Sequence, residues 1–163
     1  MAKLDTTSIL ENIFGQIPLI ETFKVNFERG TRESFDLYIS QNNYGIKYPI
    51  IWEVLPTKTD VIDETRTRRK LTLLIASKSN NEKSRDYEVI KKEFYFLNKI
   101  LDYVINGFTK SNATTFDNTY SYEERPNYYE NNKSIQTDIL NVIVLEIEVE
   151  FKVINCLNTI IWE

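Results

Sequence analysis

Apolar positions along the chain switch between two periods, and the switches mark the elements. Ile9, Leu10, Ile13 and Phe14 share one face of a short helix over residues 8–14, with Thr6 or Thr7 placed to cap its start and Gly15 to end it. Pro18 keeps the next residues out of helix. Phe23, Val25 and Phe27 then alternate with Lys24, Asn26 and Glu28, the period-2 signature of a half-buried strand, which Gly30 breaks. Residues 31–47 read two ways. Phe35, Leu37 and Ile39 alternate, yet a helical turn fits equally well, and Asn42-Asn43-Tyr44-Gly45 signals a turn. Residues 48–55 form a strongly apolar strand, with Pro49 at its first residues or on an edge and Pro56 closing it.

A polar stretch, Thr57 to Glu64, leads to a strand over about 65–77. There Leu71, Leu73 and Ile75 lie on one side and Arg66, Arg68, Lys70 and Thr72 on the other. A loop over 77–81 follows. The apolar residues Tyr87, Ile90, Phe94, Leu97, Leu101, Val104 and Phe108 recur every three or four positions, the stripe of a long helix from Glu82 to Asn106 packed on a sheet, and Asn106-Gly107 supplies its stop. Residues 109–136 are polar and rich in Asn, Tyr and Thr, with one or two short strands predicted around Thr114 to Tyr122. Leu145, Ile147, Val149, Phe151 and Val153 alternate with Glu146, Glu148, Glu150 and Lys152, a strand with one face in the core and one in water. Its upstream part, Ile139 to Val144, is apolar on both faces and predicts cover on both. Residues 158–163 read as a final short strand or a contact tail.

These elements predict an α+β fold: one antiparallel or mixed sheet of about 4–6 strands, packed on one long helix with a short N-terminal helix. The whole chain, residues 1–163, reads as a single domain with a long tyrosine-rich loop or hairpin at 109–136. A start without an apolar stretch predicts no secretory leader. The most apolar window, Ile139 to Val153, is interrupted by Asn141 and three glutamates, so no membrane span and no membrane partner is expected. Cys156, the single cysteine, is expected as a small packed side chain and has no partner for an internal disulfide.

Charge and chemistry narrow the function. A net charge of −4 predicts no whole-chain attraction to nucleic acid. The chain has no histidine, which removes the commonest general base and metal ligand and every Ser-His or Cys-His nucleophile. Four scattered glycines build no phosphate-cradling loop. Asp138 followed by Glu150-Phe151-Lys152 is similar to the Asp…Glu-x-Lys signature of a nuclease superfamily, in which two acidic groups hold a divalent metal. With no Gly or Pro between them, twelve strand residues separate these carboxylates by about 40 Å, too far to share an ion. The expectation is a protein that is not an enzyme, without cofactor or metal.

Two sets of residues are candidates for contact. Glu146, Glu148 and Glu150 make an acidic stripe, and Arg66, Arg68 and Lys70 a basic one of the same period. They are either cross-strand partners in one sheet or surfaces turned to another subunit or a lumen. Tyr120, Tyr122, Tyr128 and Tyr129 read equally as interface residues and as a local loop cluster.

The order of elements resembles small tail-completion or tail-terminator proteins of tailed bacteriophages, and neck-ring proteins of their head–tail connectors. The segments that carry the resemblance are Tyr48-Pro49-Ile50-Ile51-Trp52-Glu53-Val54, Leu71 to Ser77, the helix from Glu82 to Asn106, and Leu145 to Val153. It implies a homo-oligomeric ring, commonly of six or twelve copies, that contacts other neck and tail proteins while genomic DNA passes through its lumen without specific binding. It implies a place in the virion, after assembly in the host cytoplasm, and no catalytic residues. The other readings are an adaptor of a phage or bacterium, binding one protein through the Tyr120–Tyr129 region, and a metal-dependent nuclease.

Overall fold

The computed structural model describes residues 5–41, 48–79, 87–128 and 140–162. The turn expected at 42–45, the start of the long helix before Tyr87, Tyr129 and Asp138 lie outside them. Helix α1 spans Thr6–Gly15, and its N-cap is Asp5 rather than Thr6 or Thr7. The Asp5 carboxylate accepts the Ser8 N–H at 2.7 Å, which frees both threonine hydroxyls for other partners. Strand β1 covers Asn26–Gly30, starting three residues after Phe23, which instead belongs to a tight turn.

The ambiguous stretch from residue 31 resolves as helix α2, Arg32–Gln41. Thr31 caps it, accepting the Ser34 N–H at 3.1 Å. Strand β2, Ile50–Val54, pairs parallel with β1, so β1–α2–β2 is a crossover unit with α2 as the connecting helix. Pro49 sits just before β2, which lies between two strands. Gly30 belongs to β1, where a Cβ would meet the Trp52 ring at 2.9 Å and the Ser34 Cβ at 3.0 Å.

The polar stretch after Pro56 holds an unforeseen strand, β3 (Lys58–Val61), which forms a hairpin with β4 (Arg66–Lys78). Its side chains are all exposed, so it carries no apolar alternation to read. Helix α3 runs Tyr87–Lys110, past the expected stop at Asn106-Gly107. Gly107 serves packing: a Cβ there would sit 2.7 Å from Ile13 Cγ2 of α1. After it come β5 (Thr114–Thr115), β6 (Tyr120–Tyr128) and β7 (Leu140–Lys152).

Among the described residues the sheet is mixed and has seven strands, more than the four to six expected. Its order is β1-β2-β4-β7-β5, with β3 on β4 beside β2 and β6 on β7 beside β5. The long antiparallel pair β4–β7 is its spine, in register from Arg66↔Lys152 to Lys78↔Leu140. One face of that pair, Leu71, Leu73, Ile75, Ile143, Leu145, Ile147, Val149 and Phe151, packs against α1 and α3 in the main core. The other face is covered only at one end, where Phe35 and Ile39 of α2 join Ile50, Trp52, Leu74, Ala76, Leu140 and Val142. The double cover expected for the start of the last strand is therefore supplied by α3 and α2. Residues beyond β7 make a contact tail, not a strand: Ile160 is buried, and Trp162 packs edge-on to Tyr103 at 5.4 Å. Cys156 is exposed, against the expectation of a packed thiol, because it lies between β7 and the first residues the tail buries.

Candidate functional site

The acidic and basic stripes lie side by side on the part of β4–β7 that α2 leaves uncovered. Register pairs Arg68 with Glu150, Lys70 with Glu148 and Thr72 with Glu146. The ion pairs run diagonally to this register: Arg66 Nη1 to Glu150 Oε1 at 3.3 Å and Arg68 Nε to Glu148 Oε1 at 3.4 Å. Diagonal neighbours are within reach of long side chains, and the twist of the sheet brings them together. Lys70 and Glu146 form no ion pair among the described residues. The cross-strand reading of the stripes is thus realised.

Magnitude decides what these pairs are worth. Arg68 and Glu148 are each nearly half exposed, and exposed pairs contribute roughly 0.2–1 kcal/mol each. The ladder adds little stability to the fold. It covers the face with alternating charge, Arg66, Arg68, Lys70 and Lys152 beside three glutamates, so this surface is mixed rather than acidic. Thr115, Asp117 and Thr119, from β5 and the turn after it, border a shallow polar depression over Arg68, Glu148 and Glu150.

The tyrosines lie elsewhere. Tyr120 opposes Ile147 and Tyr122 opposes Leu145, both core-facing residues, so these rings stand on the α3 side of the sheet. They belong to strand β6, which with β5 supplies the short strands expected around Thr114 to Tyr122 and runs on to Tyr128. Both are exposed and stack at 6.4 Å with an interplanar angle of 25°. Tyr120 also contacts Phe116, which packs against Phe108 of α3. Tyr128 ends β6 opposite Leu140. The charged ladder and the Tyr120–Tyr122 pair therefore fall on opposite faces of the sheet. Pro126 sits at a register shift of β6 between Arg125 and Tyr128, which an edge strand tolerates.

Sequence reasoning passed over a third constellation. Glu53 lies fully buried in the apolar strand β2, between Arg29 of β1 at 3.4 Å and Arg69 of β4 at 3.7 Å. Arg29 donates to Thr7 Oγ1 at 2.5 Å and Arg69 to Thr6 Oγ1 at 2.6 Å, so the two threonines tie the start of α1 to the triad. Burial pushes the Glu53 carboxyl up and the Arg69 guanidinium down, outweighing their mutual attraction. The readable signal was a lone carboxylate in Ile50-Ile51-Trp52-Glu53-Val54, which calls for a cation from a neighbouring strand. The triad clamps α1 onto the sheet.

Among the described residues no group of three or more His, Cys, Asp or Glu side chains is placed to hold a metal ion, and no helix is long and apolar enough to cross a membrane. Glu150 of the nuclease-like pattern is ion-paired with Arg66 near the far end of a strand that runs without interruption from Leu140. Compared with known protein families and with curated proteins, the sequence matches none.

Proposed function

We propose that the chain is a structural protein of a tailed-bacteriophage virion, one copy of a ring at the head–tail neck or the top of the tail through which DNA passes. The ladder face of β4–β7 is its contact with a neighbouring subunit. One observation carries this reading: the chain covers the whole of one face of its 13-residue strand pair and only one end of the other. What is left bare is a surface of alternating charge that contributes little to the chain's own stability. Such a pattern selects partners and register, since a shifted or wrong neighbour meets like charges. Its mixed sign suits a subunit contact better than a lumen wall, where like-charge repulsion would keep DNA from sticking. The element order that resembles tail-completion and neck-ring proteins supports the place in the virion.

Glu148→Lys tests it. The substitution breaks the Arg68 pair and sets a cation opposite Lys70. Sedimentation and native mass spectrometry, on the chain alone and with its neck and tail neighbours, are expected to show altered assembly. Unfolding of the isolated variant should stay within about 1 kcal/mol of the parent. Unchanged assembly would sink the ladder as an interface, and a chain that stays monomeric with every neighbour would sink the ring. A second reading, an adaptor that binds one partner, is favoured by the exposed Tyr120–Tyr122 stack on edge strand β6. Tyr122→Ser separates the two, since it removes adaptor binding and leaves a ladder-mediated ring intact.

A further inference from the structure

The ladder surface is divided lengthwise by charge. Direct partners in an antiparallel pair share a face, so Lys58 of β3 stands beside Lys70 of β4, and Lys70 beside Glu148 of β7. Cations gather on the β3–β4 half, and carboxylates on the half formed by β7 and the turn after β5. Asp60 on the first half and Lys152 at the end of the second are the exceptions.

Within the chain the two halves neutralise each other only in part. Arg66 is held by Asp63 and Glu150, and Arg68 by Glu148. The same diagonal would next join Lys70 to Glu146, and there it stops. Among the described residues Lys58 and Lys70 have no acidic partner, and Glu146 and Asp117 have no basic one. All four are exposed. Asp117 also borders the depression over Glu148 and Glu150, so the open end of the acidic half is concave.

Two unpaired cations on one half and two unpaired carboxylates on the other make the surface complementary to itself. Give a second copy half a turn about an axis lying in the surface, between β4 and β7 and parallel to them. Its β4 then lies over β7, and its β3 over the β5 side. Its Lys70 meets Glu148 and Glu146, its Lys58 enters the depression at Asp117, and both contacts recur with the copies exchanged. The strands of the two sheets stay aligned, as in packed sheets. Half a turn about the other axis in the surface would set cation on cation. The like-charge contact that remains, Lys152 over Arg66, falls on a guanidinium already held by two carboxylates. Nucleic acid would need one sign across the whole surface; a second copy matches both halves. The patch is four strands wide and seven residues long, roughly 450 Å² per copy, the scale of a weak, reversible contact. We propose that the ladder surface docks on the ladder surface of a second copy, about a twofold axis parallel to β4 and β7. This rests on the reading of the ladder as a subunit contact, and adds which neighbour it takes and with what symmetry. A ring built through it holds its copies in twofold pairs.

Sedimentation of the full chain at low salt, up to ~1 mM, reads the association. The parent is expected to dimerise. Lys70→Glu and Glu146→Lys, both at exposed positions, should each weaken the dimer roughly tenfold, the ratio that corresponds to about 1.4 kcal/mol for two lost exposed pairs. An equimolar mixture of the two variants should recover the parent's affinity. One chain then carries only carboxylates at these positions and the other only ammonium groups, so both twofold-related contacts are complementary again. A parent that stays monomeric, single variants that dimerise like the parent, or a mixture no tighter than either variant overturns the proposal. If the parent is monomeric alone, yet its assembly with neck and tail neighbours responds to Glu148→Lys, the twofold pairing falls and the ladder stands as a contact. A dimer that passes the mixing test but builds nothing larger with those neighbours keeps the pairing and removes the ring.

Discussion

Replacing Glu53 by alanine separates two views of the buried triad. At 3.4 and 3.7 Å, and with an effective dielectric near 20, each arginine attracts the carboxylate by about 5 kcal/mol. Against this stands a desolvation cost of several kcal/mol for each buried ion. The upward push on Glu53 and the downward push on Arg69 both indicate that desolvation prevails. Glu53→Ala removes the attraction and leaves Arg69 buried with the Thr6 hydroxyl beside it. The expected loss in urea denaturation is roughly 3–5 kcal/mol. The double variant Glu53→Leu/Arg69→Met replaces charge by apolar volume and should unfold within about 1 kcal/mol of the parent, or above it. Arg29, a third exposed, can turn its head to water. A loss below about 1 kcal/mol for the single variant, or a double variant as weak as the single, refutes the reasoning. The pH dependence carries the same sign. Because the folded carboxyl titrates above its ordinary value of 4.5, the native state binds more protons than the unfolded one between 4.5 and that raised value. Stability from this group therefore falls as pH rises through that window, and Glu53→Gln should flatten the slope.

Two further substitutions probe the frame. Gly107→Ala gains about 1 kcal/mol of helix propensity but drives a methyl to 2.7 Å from Ile13 Cγ2. Overpacking of about 1–3 kcal/mol outweighs the gain, so the melting temperature should fall, and a rise would refute the packing role of this glycine. Asp63 organises the β3–β4 turn, accepting the Thr65 N–H at 2.9 Å and Arg66 Nε at 2.8 Å, which lower its carboxyl to about 2. Its contribution is fully present above the unfolded value of 3.8 and is lost as pH falls through about 2. Carbon-detected titration should place this carboxyl well below 3.8, and Asp63→Asn should abolish the acid dependence of hairpin amide protection. A carboxyl that titrates near 3.8 counts against the turn geometry.

Elements with a long one-sided pattern were legible in the sequence, and elements without one were not. The stripe of α3 and the alternation of β4 and β7 follow from what a helix and a strand must bury. The same holds for the double cover at the start of β7, where apolar side chains point to both faces. Strand β3 carries no such signal because nothing covers it; its existence depends on the hydrogen-bonding edge that β4 offers. Strand β6 was foreseen only in its first residues, up to Tyr122; its continuation to Tyr128 carries no apolar alternation and depends on the partner that β7 supplies. Gly107 looked like a helix stop because a lone sequence cannot reveal that α1 approaches at that point. Of the candidate site, both charge stripes were readable by period, but their adjacency required the strand order.

Local pattern along this chain determined the long helix and the long strands and which face each turns inward, since periodicity and burial act over a few residues. Tertiary structure alone decided that the stripes interlock, that Tyr120 and Tyr122 stand on the opposite face from them, and that Arg29, Glu53 and Arg69 meet beneath α1. Those are contacts between segments far apart in the chain, set by strand order and register. No short-range pattern encodes them.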